Sequence, residues 1–278
     1  MIEILSYTFM QKAFISGIVI AVACSLLGMF LVLRKFSLVG DGIAHISFGG
    51  VTAGLLFNIT PFVGALLFGL IGSLGILKLK EKSHLQGDTA IGIVSHASLG
   101  VGIFIVSIAS GFNVDILSYL FGSILSIRTT ELALSVFLAL AVIIFILIYH
   151  KDLFYISFDE ESAKVSGVSV NFLNSMLIVL TAITIVCSMN VVGLMLASSL
   201  IILPSASALQ IKTSFKKTLI YSVFISVLSV VSGLVIAYYH DLAVSGTIVL
   251  INAFIFLSFL VYNKAQSYAS AKRLDVSP

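Results

Sequence analysis

Two side chains that could bind a metal ion stand four residues apart near the start of the chain. Asp41 and His45 lie in the stretch LVLRKFSLVGDGIAHISFGGVTAG. On a helix, residues at this spacing share one face, one turn apart. A carboxylate oxygen and an imidazole nitrogen that converge in this way suit a divalent first-row ion such as Zn²⁺, Mn²⁺ or Fe²⁺. Two ligands are too few for a tight structural site, which suits an ion that is held only briefly.

The same pair also has an interpretation that needs no metal. Asp41 could be the N-cap of a helix or stand in its first turn, where the helix dipole favours a carboxylate. Asp41 and His45 would then neutralise each other, and the sequence leaves both interpretations open. Gly49, Gly50 and Gly54 follow closely. Small residues allow close packing of membrane helices, whether or not the helix lines a pathway.

The composition indicates where such a helix must lie. Of the 278 residues, 59% are hydrophobic and 10% are charged, whereas soluble domains carry about 25% charged residues. So few charges cannot cover a water-exposed surface, and so many apolar side chains exclude a disordered chain. A polytopic membrane protein is therefore predicted. Its net charge of +3 is assigned to loops on one side of the membrane, so no nucleic-acid partner is expected.

Long apolar stretches favour helical spans of about 20 residues over the shorter alternating strands of a membrane barrel. The predicted fold is an all-α bundle of eight or nine transmembrane helices in one domain, residues 1–278. Segment 111–127 is too apolar for an ordinary loop and too short to span, so it is interpreted as a re-entrant or interfacial helix. The candidate spans are 11–33, 41–58, 61–79, 88–110, 130–149, 171–189, 191–211, 218–239 and 246–263.

Basic residues follow alternate spans, and this pattern predicts the orientation. The loops around 58–61, 189–191 and 240–246 contain no Lys or Arg. By the positive-inside rule the N-terminus faces outwards and the tail 264–278 is cytoplasmic. Arg128 is the exception, on a loop assigned to the outer side. The basic residues assigned to the cytoplasmic side are Arg34, Lys35, Lys78, Lys80, Lys82, Lys151, Lys164, Lys212, Lys216, Lys217, Lys264, Lys272 and Arg273.

The largest charge cluster outside the spans lies in segment 155–168, on the predicted cytoplasmic side. Its acidic residues come first, Ala163 follows and Gly167 closes the segment, the order expected of a short helix with dipole-matched ends. One interpretation is a solvated loop. The other is a short helix that docks into the groove of a cytoplasmic partner. The acidic residues are Asp159, Glu160 and Glu161.

Other polar or reactive residues inside the spans are few. His96 is either a pathway residue or a hydrogen-bonded core group. Pro204 interrupts a late span, where it frees a backbone carbonyl and can kink the helix. Cys24 and Cys187 lie in apolar runs and are predicted to be buried hydrophobic residues. No GxxxxGK[ST], HExxH, CxxC or GxSxG motif occurs, so neither nucleotide binding nor hydrolysis is expected of this chain itself.

Six stretches of the sequence resemble the integral membrane permeases of zinc, manganese and iron ABC uptake systems, in family order and over nearly the whole chain. The resemblance implies a type II-like importer fold in the bacterial cytoplasmic membrane. It also implies a permease homodimer, a cytoplasmic ATPase dimer that hydrolyses ATP, and an external metal-binding protein. The chain itself is then not an enzyme and holds no resident cofactor. The stretches are GMFLVLRKFSLVGDGIAHISFGG, GDTAIGIVSHASLGVGI, YLFGSILSI, FDEESAKVSGV, VGLMLASSLIILPSASALQI and YHDLAVSGTIVLI.

The resemblance further implies roles for individual residues. The Asp and His of the family motif meet the ion in transit, and they match Asp41 and His45. The Pro- and Ala-rich break of a late span matches Pro204, whereas no ligand of the family matches His96. The family's coupling helix, which contacts the ATPase, matches Asp159, Glu160, Glu161, Ala163 and Gly167.

An alternative function is a stand-alone secondary transporter or channel for a divalent cation. Such a protein needs coupling groups of its own, such as carboxylates buried in mid-span. Apart from Asp41, and Asp88 at the start of a span, the sequence offers none. The preferred mechanism is alternating access, in which the ion is held briefly at Asp41 and His45 while the ATPases act on 155–167. An Asp and a His do not select among the three metals.

Overall fold

The fold is all-α, as the composition predicts. The computed structural model describes residues 6–82, 87–108, 116–123, 129–189 and 192–274, and every regular element in these ranges is a helix. The helices are α1 (Thr8–Leu33), α2 (Leu38–Leu56), α3 (Pro61–Lys82), α4 (Gly87–Ile108), α5 (Ile116–Phe121), α6 (Thr129–Phe158), α7 (Glu160–Val165), α8 (Val170–Ser188), α9 (Leu194–Leu209), α10 (Phe215–His240) and α11 (Val244–Leu274).

Each of the nine predicted spans coincides with one of these helices, because a helix satisfies its backbone hydrogen bonds internally where lipid offers no partner. Seven helices in the described ranges are long and apolar enough to cross a membrane. Of the other two, α2 is interrupted by polar side chains and by five glycines, and α9 has only 16 residues. The predicted count of eight or nine crossings is therefore not confirmed.

Helix α2 lies at the centre of the packing. It contacts α3, α4, α8 and α9, while α1 contacts α6, α8, α9 and α10 on the other side of the bundle. Cys24 of α1 and Cys187 of α8 are buried in this core, as predicted. The central position of α2 means that its polar residues are placed by four neighbouring helices.

The packing of α2 against α3 and α4 brings glycines of α2 close to the backbone of both neighbouring helices. A Cβ atom on Gly50 would overlap the carbonyl group of Gly64 in α3. A Cβ atom on Gly49 would lie 2.7 Å from the hydroxyl oxygen of Ser98 in α4 and 2.8 Å from the Ser98 carbonyl oxygen. Such distances leave no room for a side chain, so the glycines set how near the three helices come.

A tight turn joins α1 to α2. Lys35 adopts the left-handed backbone conformation (φ 59°). The amide of Phe36 donates to the carbonyl of Leu31 at 2.8 Å, and the amide of Lys35 donates to the carbonyl of Val32 at 3.1 Å. This pair of bonds is the Schellman motif, here with lysine in the position that glycine usually occupies. It directs the chain at once from the end of α1 towards α2.

Two sequence-predicted segments are described only in part. Within 111–127 the structure describes the short helix α5 and the residues after it to 123; the rest of this segment and Arg128 lie outside the described residues. Gly193 lies against the backbone at Leu120 and Phe121, so α5 packs at the start of α9. The predicted tail begins inside α11, which continues as a helix to Leu274.

The close approach of α2 and α3 predicts the effect of adding one methyl group. Gly64→Ala should lower the free energy of unfolding by about 1–3 kcal/mol, because the new methyl group would overlap the backbone of α2. Gly75→Ala in the same helix is the matched control, since its Cβ atom would meet no atom within 4 Å. Thermal denaturation of the detergent-solubilised protein, followed by size exclusion, measures both. Equal midpoints for the two variants would contradict the packing described above.

Candidate functional site

Asp41 and His45 lie together on the one open face of α2. The distance between His45 Nε2 and Asp41 Oδ2 is 3.6 Å. The Asp41 side chain is 52% exposed and the His45 side chain 20% exposed, whereas their neighbours on the helix, such as Gly40 and Ala44, are buried. The packing of α2 therefore leaves this pair accessible while it covers the rest of the helix.

Asp41 is not the N-cap of α2. Ser37 occupies that position, and Asp41 lies inside the first turn of the helix. The N-cap interpretation is therefore wrong, because α2 begins at Leu38, four residues earlier than that interpretation requires. The second interpretation, in which Asp41 is a carboxylate in the first turn, fits the geometry, because the helix dipole stabilises a negative charge there.

The spacing within the pair is suitable for a bound ion. Two ligand atoms that each lie about 2.1 Å from an ion are about 3.0–3.4 Å apart at ordinary coordination angles. The observed 3.6 Å between His45 Nε2 and Asp41 Oδ2 is close to that range and longer than a normal hydrogen bond. The other nitrogen of the ring, His45 Nδ1, is buried without a hydrogen-bond partner.

His96 faces this pair from α4. The ring centroids of His45 and His96 are 6.2 Å apart, with an angle of 31° between the planes. His96 Nδ1 lies 2.7 Å from the carbonyl oxygen of Gly92, and the side chain is exposed. It is hydrogen-bonded, as one interpretation of the sequence expected, but it is not packed in a core. In the described ranges no three His, Cys, Asp or Glu side chains group closely enough to hold one ion.

Pro204 lies away from the open face of α2 along α9. It is buried within the helix, which continues through it. The contact between α9 and the start of α2 is made earlier in α9, where Ser198 lies against Gly40. The next residue, Ser205, donates to the carbonyl of Ser25 in α1 at 3.3 Å. A role for Pro204 in a pathway stays a prediction.

The acidic segment forms the short helix α7, which is capped at both ends. At its N-terminus the Asp159 carboxylate accepts hydrogen bonds from the amide of Ser162 at 3.0 Å and from its hydroxyl at 2.5 Å. At its C-terminus Gly167 adopts φ 86°, and the amide of Val168 donates to the carbonyl of Ala163 at 3.1 Å. Ala163 itself is fully buried. The segment is therefore a capped helix and not an irregular loop.

The N-cap also perturbs the titration of Asp159. The hydrogen bonds from the Ser162 side chain and backbone hold the pKa of the Asp159 carboxyl below its ordinary value. A lowered pKa in the folded state means that the cap contributes its stabilisation above the ordinary carboxyl pKa of about 3.9. That stabilisation is lost as the pH falls through the lowered value, so the cap is intact at neutral pH.

Arg34 joins α7 to the bundle. The sequence pattern used Arg34 only to predict the orientation of the chain in the membrane and did not indicate this contact. Its guanidinium donates to the Glu160 carboxylate of α7 at 2.6 Å and to the side-chain oxygen of Asn174 in α8. The Arg34 side chain is only 5% exposed, and that of Glu160 is 40% exposed. Burial lowers the pKa of Arg34, and the negative charge of Glu160 partly opposes this shift. Glu160 also pairs with Lys164 at 3.2 Å.

Known proteins that are similar to this chain are transport permeases. The manganese import system permease protein ScaB of Streptococcus gordonii is 36% identical over 96% of this chain and 95% of its own length. A probable iron transport system membrane protein of Haemophilus influenzae is 33% identical over 95% of this chain and 97% of its own length. Among solved structures, PsaBC from Streptococcus pneumoniae in complex with Fab matches with a TM-score of 0.82 at 34% identity, covering 92% of each chain.

The family assignment rests on a match along almost the whole chain. The model of the ABC 3 transport family matches residues 6–263, which include every helix from α1 to α10 and most of α11. The resemblance that the six sequence stretches predicted is confirmed, and the chain belongs to the ABC 3 transport family.

Proposed function

We propose that this chain is the permease subunit of an ATP-driven importer that carries a divalent first-row transition-metal ion into the cytoplasm. The observation that carries the proposal is the Asp41–His45 pair, with its ligand atoms 3.6 Å apart on the open face of α2. Mixed carboxylate and imidazole ligation suits Zn²⁺, Mn²⁺ and Fe²⁺. Names of relatives that refer to manganese import and to iron transport support the same class of substrate.

Weak binding of the ion by only two ligands is suitable for transport. Four fixed protein ligands would retain the ion, whereas a pair of ligands releases it. Because Asp41 is 52% exposed in the single chain, the open face of α2 also has room for further ligands. In the proposed assembly this face lies towards a second copy of the permease. An external metal-binding protein delivers the ion, and the basic loops face the cytoplasm, with the N-terminus outside.

Energy for transport is proposed to come from a cytoplasmic ATPase dimer acting on α7. The sequence contains no P-loop of its own. Helix α7 is short, capped at both ends and joined to the bundle through Arg34, the features expected of a rigid docking element. Arg34 stands four residues before the start of α2. A displacement of α7 would therefore reach the helix that carries Asp41 and His45 by a short covalent route.

The stand-alone transporter is the weaker proposal. A secondary transporter needs ionisable coupling groups inside the bundle. Among the residues whose burial the structure describes, no Asp or Glu is buried; the buried polar residues there are Ser, Thr and one Asn. Asp41 lies on an accessible face and Asp88 is exposed, which favours coupling through a partner.

The first test of the proposal is metal uptake. Asp41→Asn and His45→Ala should each lower uptake by about 10-fold or more, because each removes one of two ligands. Asp88→Asn is the matched control, since Asp88 is also an exposed carboxylate in the first turn of a helix. Uptake of radiolabelled Mn²⁺, Fe²⁺ and Zn²⁺ at limiting metal is measured in a deletion strain that carries each variant. Normal uptake by both site variants would overturn the assignment.

A second test concerns the docking of α7. Removing both caps, with Asp159→Ala and Gly167→Ala together, should reduce co-purification of the ATPase subunit several-fold, because α7 would fray. Glu161→Gln is the control, since it changes an exposed charge of α7 and leaves both caps intact. Co-purification of the native permease should be insensitive to pH down to about pH 5, where the Asp159 cap is still ionised. Unchanged co-purification of the double variant would contradict this role.

A third test concerns the Arg34 anchor. Arg34→Gln should lower the free energy of unfolding by about 2 kcal/mol, because Glu160 and Asn174 lose a charged donor. Lys35→Gln, one residue away and exposed, should have little effect. Thermal denaturation in detergent reports stability, and metal uptake in cells reports coupling. If Arg34→Gln matched Lys35→Gln in both, the anchor would have neither role.

A further inference from the structure

Helices α2 and α4 run parallel and in a defined register. Gly42 lies against Ile91, and Gly49 lies against Ser98. Both contacts put a residue of α4 level with the residue 49 positions earlier in α2. His96 is therefore level with Ser47, two residues beyond His45, or about 3 Å further along the helix axis. Asp41, His45 and His96 form an ascending series along the open face of α2.

The hydrogen bond of His96 determines which ring nitrogen is available. A carbonyl oxygen only accepts, so the 2.7 Å contact with the Gly92 carbonyl requires that Nδ1 carries the proton. In a neutral ring the lone pair is then on Nε2. Metal-binding histidines are commonly held in this way, with the other ring nitrogen bonded to a backbone carbonyl. A neutral His96 therefore presents Nε2 as its ligand atom.

The same bond alone does not distinguish a ligand from an ordinary helical histidine. His150 in α6 makes an equivalent bond from Nδ1 to the carbonyl of Leu147 at 2.8 Å. What distinguishes His96 is its position, because its exposed ring faces the ring of His45 across the contact between two helices. Two imidazoles near one accessible carboxylate provide three potential ligands.

The distances favour successive use of these ligands over simultaneous use. Imidazole rings that share one ion have centroids about 5 Å apart, whereas those of His45 and His96 are 6.2 Å apart. The two rings must therefore approach each other by about 1 Å to share an ion, and an ion held by Asp41 and His45 is not shared with His96 until a side chain moves. His45 lies between the other two and can serve in both pairs.

We propose that His96 is a third metal ligand, which shares the ion with His45 in one step and yields it to the Asp41–His45 pair in another. The inference rests on the proposed transport function and extends it to the choice of metal. A step with two imidazole ligands favours Zn²⁺ over Mn²⁺, because Zn²⁺ binds nitrogen more strongly and Mn²⁺ suits carboxylate and water. His96 therefore biases this permease towards zinc.

Direct ligation is tested with Co²⁺ as the probe, on the purified full-length chain. In His96→Cys, a thiolate-to-cobalt charge-transfer band is expected, and it should disappear when His45→Ala is added. His150→Cys is the matched control and should give no such band. The native cysteines, Cys24 and Cys187, are buried, so the wild-type chain should give none either. Absence of the band in His96→Cys, or its persistence without His45, would overturn the proposal.

Metal choice is tested in cells that contain the partner subunits. His96→Ser should lower the ratio of zinc uptake to manganese uptake by about 10-fold, while His150→Ser leaves the ratio unchanged. An unchanged ratio in His96→Ser, or an equal loss of both metals, would refute the selective role of His96. If instead Asp41→Asn and His45→Ala both carried metal as well as the wild type, the assignment of the Asp41–His45 site in the proposed function would fail, and the Co²⁺ spectra would still decide whether His96 is a ligand.

Discussion

The close contact of α2 with α3 and α4, made at glycine residues, is the constraint on which the rest of the structure depends. A helix that carries a carboxylate and a histidine gains little from the hydrophobic effect inside a bilayer, because lipid is as apolar as its neighbours. Close packing must hold it instead. Gly49, Gly50 and Gly64 allow that packing by leaving no side chain in the way. Neighbouring helices cover the other faces of α2, so only the face that carries Asp41 and His45 stays accessible.

Arg34 connects the turn before this helix with the short helix α7. It stands at the C-cap of α1, and its guanidinium pairs with Glu160 of α7. An ion pair whose arginine is 5% exposed resists screening by salt better than one in open solvent. Asn174 of α8 accepts from the same guanidinium. One side chain thus joins the end of α1 to both α7 and α8.

What the sequence predicted well is what depends on local composition and spacing. The nine apolar ranges each became a helix, and Asp41 and His45 meet because residues one turn apart must meet. The caps of α7 follow from acidic residues at its start and Gly167 at its end.

What the sequence did not predict depends on distant pairings. Arg34 and Glu160 are 126 residues apart, and no local pattern connects them. The facing of His45 and His96 follows from the register of α2 against α4, which glycine contacts determine and periodicity does not. The number of crossings predicted from hydropathy is not confirmed, because seven helices in the described ranges are long and apolar enough to span and α2 and α9 are not among them.

The turn between α1 and α2 has a consequence for how such a chain can vary over evolutionary time. Its two hydrogen bonds close around Lys35, and only Phe36 and Ser37 separate that residue from α2. Each residue of a helix turns the chain by about 100°. One residue inserted here would rotate α2 on its axis and carry Asp41 off the open face while Arg34 stayed anchored. A change in the length of this turn should therefore disturb the placement of Asp41 more than a substitution of Ser37, whose side chain makes no capping hydrogen bond.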